Sequence, residues 1–114
     1  MIEKILRDYL TGAIAEPVYM TVPGHKDKRY VTIERTGGYI ENCIRHATVA
    51  IQSIAESQYE AAALHETVIG HIMNSNSLPA IGGVYLNAEY NFPNEVTKEY
   101  RYQALFEFTY YTEE

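Results

Sequence analysis

Two stretches near the C-terminus alternate in character with period two, and together they demand a sheet. Val84, Leu86, Ala88, Tyr90 and Phe92 interleave with Tyr85, Asn87, Glu89 and Asn91. Tyr100, Tyr102, Ala104, Phe106, Phe108 and Tyr110 interleave with Arg101, Gln103, Leu105, Glu107, Thr109 and Tyr111. Successive side chains of a strand point to opposite faces, so each run presents one mostly apolar face. Pro93-Asn94 lies between them as a turn signal, which predicts an antiparallel hairpin. One apolar face needs cover, and the rest of the chain must supply it.

Two segments have the 3.6-residue period that can do so. Ile2, Ile5, Leu6, Tyr9, Leu10 and Ala13 share one side of an N-terminal helix, with Glu3, Lys4, Arg7 and Asp8 opposite. Gly12 weakens its last turn, and Pro17 biases the preceding residue away from helix. The second helix opens at Ser57-Gln58-Tyr59-Glu60, a capping-box pattern in which the Ser and Glu side chains serve reciprocal backbone donors. It carries Ala61, Leu64, Val68 and Ile72 on one face and ends near Met73, before Asn74-Ser75-Asn76-Ser77 and Pro79.

Between the helices, Val18 to Val22 reads as a strand closed by a turn at Pro23-Gly24. His25-Lys26-Asp27-Lys28-Arg29 then reads as a solvated hairpin tip, or as a contact for an acidic partner. Tyr30 to Glu34 is a second strand, with Thr36-Gly37-Gly38 expected to stop it. Tyr39 to Arg45 shows no period and reads as a connection. A third strand runs from Ala47 to about Ile54, with Ala47, Val49 and Ile51 on one side. The expected fold is α+β: a five-stranded, mostly antiparallel sheet with two helices packed on one face, in the order α-β-β-β-α-β-β. With 114 residues and no repeat or linker, residues 1–114 form a single domain.

Composition narrows the function. Hydrophobic residues make up 46% and charged ones 21%, so the chain is globular rather than disordered. A net charge of −6 gives no general attraction to nucleic acid, which needs clustered cations. The single cysteine excludes an internal disulfide and a multi-thiolate zinc site. The start at Met1-Ile2-Glu3-Lys4 has no signal-peptide pattern, and no apolar run approaches the ~20 residues of a membrane span. Eleven tyrosines without a tryptophan suit half-buried sheet faces and protein interfaces, because the ring is apolar and its tip polar.

Residues that could carry chemistry do not converge. His65 and His71 are six apart, about 240° around a helix, and cannot chelate one ion. His25 and His46 have no cysteine or carboxylate at ligand spacing. Cys43 reads as an inert, small buried hydrophobe. Gly37-Gly38 lacks the spacing of a phosphate loop, and neither Ser53 nor Ser57 has a nucleophile elbow. No catalytic, cofactor-binding or metal residue is assigned and no cofactor is expected.

Several segments, in this order, resemble the tail terminator (tail completion) proteins of long-tailed bacteriophages and prophages. They are the N-terminal helix leading into Pro17-Val18 and Val22-Pro23, then Tyr30-Val31-Thr32-Ile33-Glu34-Arg35-Thr36-Gly37-Gly38. Val49-Ala50-Ile51-Gln52-Ser53-Ile54-Ala55-Glu56-Ser57 with the following helix, and Arg101-Tyr102-Gln103, complete the match. The chain has Ile54 where the family pattern carries a tryptophan. The resemblance implies a structural protein of the virion tail, made in the bacterial host cytoplasm. It would form a ring, typically of six copies, on the last ring of the major tail tube protein. There it would end tube growth and offer a docking surface to the head-tail connector protein, with DNA only passing through the lumen and no membrane involved. A head-side connector or neck protein of similar layout is a second reading, and a small-molecule binding module is a third from another class.

A ring needs a heterologous interface, one surface of each subunit meeting a different surface of the next. Candidate interface residues are Arg35, Gly37, Gly38, Tyr39, Arg101 and Tyr102. The two arginines suit charge-assisted bonds to a neighbour, with Glu34 or Glu107 as intramolecular competitors. Six copies would carry about −36 at −6 each, so acidic residues such as Glu41, Glu95 or Glu99 lining the lumen would let DNA slide without being held.

Overall fold

Ser57 shows how closely local chemistry sets the architecture. Its hydroxyl accepts a hydrogen bond from the Glu60 backbone N–H at 3.1 Å and starts the longer helix. The reciprocal half of the capping box is replaced, because the Glu60 carboxylate pairs with Arg29 at 3.2 Å. In a computed structural model describing residues 1–21 and 27–111, the elements are α1 (Ile2–Ala13), β1 (Val18–Tyr19), β2 (Tyr30–Glu41), β3 (Ile44–Ala55), α2 (Gln58–Met73), β4 (Ile81–Asn91) and β5 (Tyr100–Tyr110). A 3-10 turn, Ser75–Ser77, joins α2 to β4.

The fold is α+β, with two helices and one mixed, mostly antiparallel sheet of order β1-β2-β3-β5-β4. The central pairs β2–β3, β3–β5 and β5–β4 are antiparallel. Both helices pack on one face. Ile2, Leu6 and Leu10 from α1 join Leu64, Val68 and Ile72 from α2 over Val31, Ile33, Val49, Ile51, Phe106 and Phe108. Burying such side chains, at roughly 1.5–3 kcal/mol each, is the main drive for this layer. Among the described residues, the opposite face carries no helix.

Four expectations are corrected at the strands. First, β1 covers only Val18–Tyr19 and pairs parallel with Val31–Thr32 of β2. β1 and β2 are therefore not the two arms of an antiparallel hairpin. Arg29 instead turns onto its own chain, forming a fork–fork pair with Glu56 that holds that carboxyl below the usual carboxylate range. The expected turn at Pro23-Gly24, and His25-Lys26, lie outside the described residues.

Second, Gly37-Gly38 does not stop β2. The strand continues to Glu41 through a bulge between Arg35 and Gly37. Gly38 is required for closeness rather than turning: a Cβ there would lie 2.4 Å from the His46 carbonyl oxygen. Third, Tyr39 to Arg45 is a hairpin. Asn42 (φ 52°) and Cys43 (φ 66°) form a two-residue turn with both residues left-handed, the geometry that matches strand twist. Cys43 is consequently exposed at the tip and not buried.

Fourth, the alternation of β4 changes face. Val84 and Leu86 lie opposite Phe108 and Phe106 on the helix side. A bulge between Leu86 and Ala88 then reverses the pattern, placing Ala88 and Tyr90 opposite Leu105 and Gln103 on the bare side. Glu89 and Asn91 turn toward the helices, opposite Ala104 and Tyr102. The β4–β5 turn also falls later than Pro93-Asn94. Pairing persists to Asn94 and Glu99, and the Asn94 side chain accepts from the Val96 and Thr97 N–H groups to cap the loop.

Candidate functional site

Bulges, glycines and tyrosines converge on the bare face of the sheet and on its two ends. At the end nearest the Asn42-Cys43 turn, Gly37 sits opposite Thr48 and Tyr39 opposite His46. The Tyr39 and His46 rings stack, with centroids 4.5 Å apart and planes 9° from parallel. An open groove of about 370 Å³ crosses the strands here, with Tyr39 and His46 on one side and Tyr85, Glu107 and Thr109 further across. Gly83 carries no side chain into it. Tyr39, Ile40 and Tyr85 are each about 60% exposed.

Arg35 lies in register with Val49, on the helix side, and its guanidinium donates to the Tyr110 hydroxyl at 3.5 Å. Neither Glu34 nor any other carboxylate among the described residues forms an ion pair with it. At the other end, Arg101 donates through Nε to the Phe92 carbonyl at 2.8 Å and lies 4.5 Å above the Phe92 ring. It anchors the β4–β5 loop, and Glu107 is not its partner. Tyr102 faces α2, its ring 5.2 Å from that of His65.

The six sequence-chosen residues thus form two groups. Arg35, Gly37, Gly38 and Tyr39 belong to the distal half of β2. Arg101 and Tyr102 begin β5, and Arg101 is five residues from the β5 position in register with Arg35, about 17 Å at strand rise. The acidic residues separate likewise, with Glu41 beside the Asn42-Cys43 turn and Glu95 and Glu99 in the other loop. Glu99 accepts hydrogen bonds from Tyr30 at 2.8 Å and Thr97 at 2.9 Å.

Two features escape the sequence reading. The exposed apolar side chains at both tips include Ile40, Phe92 and Val96, the last 92% exposed. Asn42, a residue tolerant of left-handed geometry, was the available signal for the first tip. Next, the bulge brings Glu89 to His65 on α2, where Oε1 and Nε2 lie 2.9 Å apart. Spacing along the chain cannot show that pair, because one extra residue in β4 decides it.

No family model matches the chain, and no curated protein matches it significantly.

Proposed function

We propose that this protein is a non-enzymatic subunit of a virion tail, a terminator that closes into a ring on the tail tube, ends its polymerisation and presents the surface that meets the head. The observation carrying the reading is the bare sheet face with its two apolar ends. Helices cover one side, whereas Tyr39, Ile40 and Tyr85 at one end and Phe92 and Val96 at the other remain in solvent. Large exposed apolar groups on a small domain mark surfaces that meet another protein. Two different ends suit the head-to-tail contacts that generate a ring.

The edges of the sheet support the same reading. Beyond Thr32, the outer edge of β2 has no neighbouring strand among the described residues, and β4 is the edge on the opposite side. The resemblance in the segments Tyr30–Gly38 and Val49–Ser57 adds the specific assignment to tail terminators. A ring of acidic subunits would repel phosphate in its lumen and so pass DNA without retaining it.

Deleting the gene in its phage or prophage and imaging the particles tests the proposal. Overlong tails, or tails without heads, are expected. Heads that package DNA and leak it beside tails of normal length would transfer the protein to the head-side connector role. Normal particles would remove it from virion assembly.

A further inference from the structure

We infer that His65, Glu66 and Glu89 form a binding site for a divalent transition-metal ion of the zinc class. His65 belongs to the core-facing side of α2 and is almost fully buried, with its imidazole fixed between the Tyr102 ring and the Glu89 carboxylate. Glu89 reaches it only because the β4 bulge turns this residue toward the helices. Glu66, the next residue of α2, supplies a second carboxylate, which has no hydrogen bond or ion pair of its own among the described residues. One donor atom from each of the three lies within 4.8 Å of the others.

Zinc bonds nitrogen and carboxylate oxygen at about 2.0–2.2 Å, which places neighbouring ligand atoms roughly 3–3.5 Å apart. The His65–Glu89 separation of 2.9 Å is already near that value, so an ion can replace the bridging proton with a small adjustment. Exposed Glu66 has the rotamer freedom to complete a third bond. One imidazole and two carboxylates suit zinc or a neighbouring first-row ion better than calcium, which takes oxygen ligands alone. Two carboxylates also give the site the charge to hold a dication, while exposed Glu66 and half-exposed Glu89 leave room for water as a fourth ligand. The ion would tie edge strand β4 to α2, bracing the stretch where β4 changes face. This site is independent of the tail reading.

Isothermal titration of the full chain with zinc chloride in chelator-free buffer tests it, alongside Glu66→Gln, Glu89→Gln and a control, Glu107→Gln. One saturable equivalent is expected for the unmodified chain and the control, with affinity lower by about tenfold or more in each of the other two. At zinc a hundredfold above the dissociation constant, the melting temperature should rise on the order of 10 °C. Glu66 is exposed, so Glu66→Gln remains informative if Glu89→Gln or a His65 variant fails to fold. Absence of a saturable equivalent, or one unchanged by both substitutions, overturns the site and assigns any zinc uptake to the other histidines.

Discussion

Tyr30 sits in register with Ile54, on the side of the sheet without helices, yet it is 2% exposed. The edge of Tyr19's ring meets it at 6.1 Å, and its hydroxyl donates to Glu99 at 2.8 Å. Burial first, and then the bond to a carboxylate, push the Tyr30 phenol up to about 12. An unfolded tyrosine ionises near 10. The folded state therefore holds a proton that the unfolded chain gives up more easily. The resulting stabilisation is full below pH 10 and is lost as the pH rises toward 12. Tyr30→Phe should cost about 1 kcal/mol at pH 8, the usual net worth of such a bond. The gap between the two proteins should then narrow above pH 10 and change sign before pH 12, because the parent loses stability as the phenol ionises and phenylalanine has no proton to lose. Urea unfolding at stepped pH reads this directly, and a gap independent of pH would refute the assignment. Tyr19 titrates upward too, through its bond to Asp27, but it is present in both proteins and cancels in the comparison.

Among the elements, the β2–β3 hairpin makes a prediction of its own. Its turn places Cys43 at φ 66°, a conformation that suits glycine and strains most other residues. Cys43→Gly converts the turn to Asn-Gly, the preferred pair for this geometry, and should stabilise the protein by about 0.5–1 kcal/mol. Thermal melts under reducing conditions would show the gain; a loss would mean that the thiol contributes a contact. The same hairpin shows what a sequence can and cannot disclose. Helical and strand periods were legible wherever burial repeats regularly, as in Ile2, Leu6 and Leu10 or in Ala104, Phe106 and Phe108. They failed at Tyr39 to Arg45 because the strand ends there leave the helix-covered core, so no burial pattern marks them. They failed again at Ala88 and Glu89, where a single bulged residue exchanges the two faces. Gly37-Gly38 misled for a related reason. Glycine is used here for the approach of β3, at 2.4 Å from a notional Cβ to the His46 oxygen, and paired glycines in a sequence do not distinguish that use from a turn. The groove and the His65–Glu89 pair both lie downstream of these bulges, which is why the site was less legible than the fold.

At the scale of the molecule, the long axis runs 43 Å against 25 Å in the other two directions, with a hairpin tip at each end. Ile40 lies close to one tip and Val96 at the other, both exposed and neither part of the core. If these ends are the two halves of a head-to-tail contact, they must fail separately and complement each other. Ile40→Lys and Val96→Lys should each leave folding stability within about 0.5 kcal/mol, as surface changes usually do. Each would spoil one half of every contact and leave the other intact. Either variant alone would then give no ring, since each interface requires one good surface from each partner. Mixed in equal amounts, they would form a single sound interface per pair and stop at heterodimers, because the remaining surfaces are both damaged. A two-fold symmetric contact behaves differently: the same patch meets itself, so a mixture of variants rescues nothing if both residues lie in that patch. Native mass spectrometry at concentrations where the unmodified chain assembles, or on isolated tube ends, separates these outcomes. Rings formed by both variants as readily as by the parent would place the subunit contact elsewhere, with the unpaired edges of β2 and β4 as the surfaces to test next.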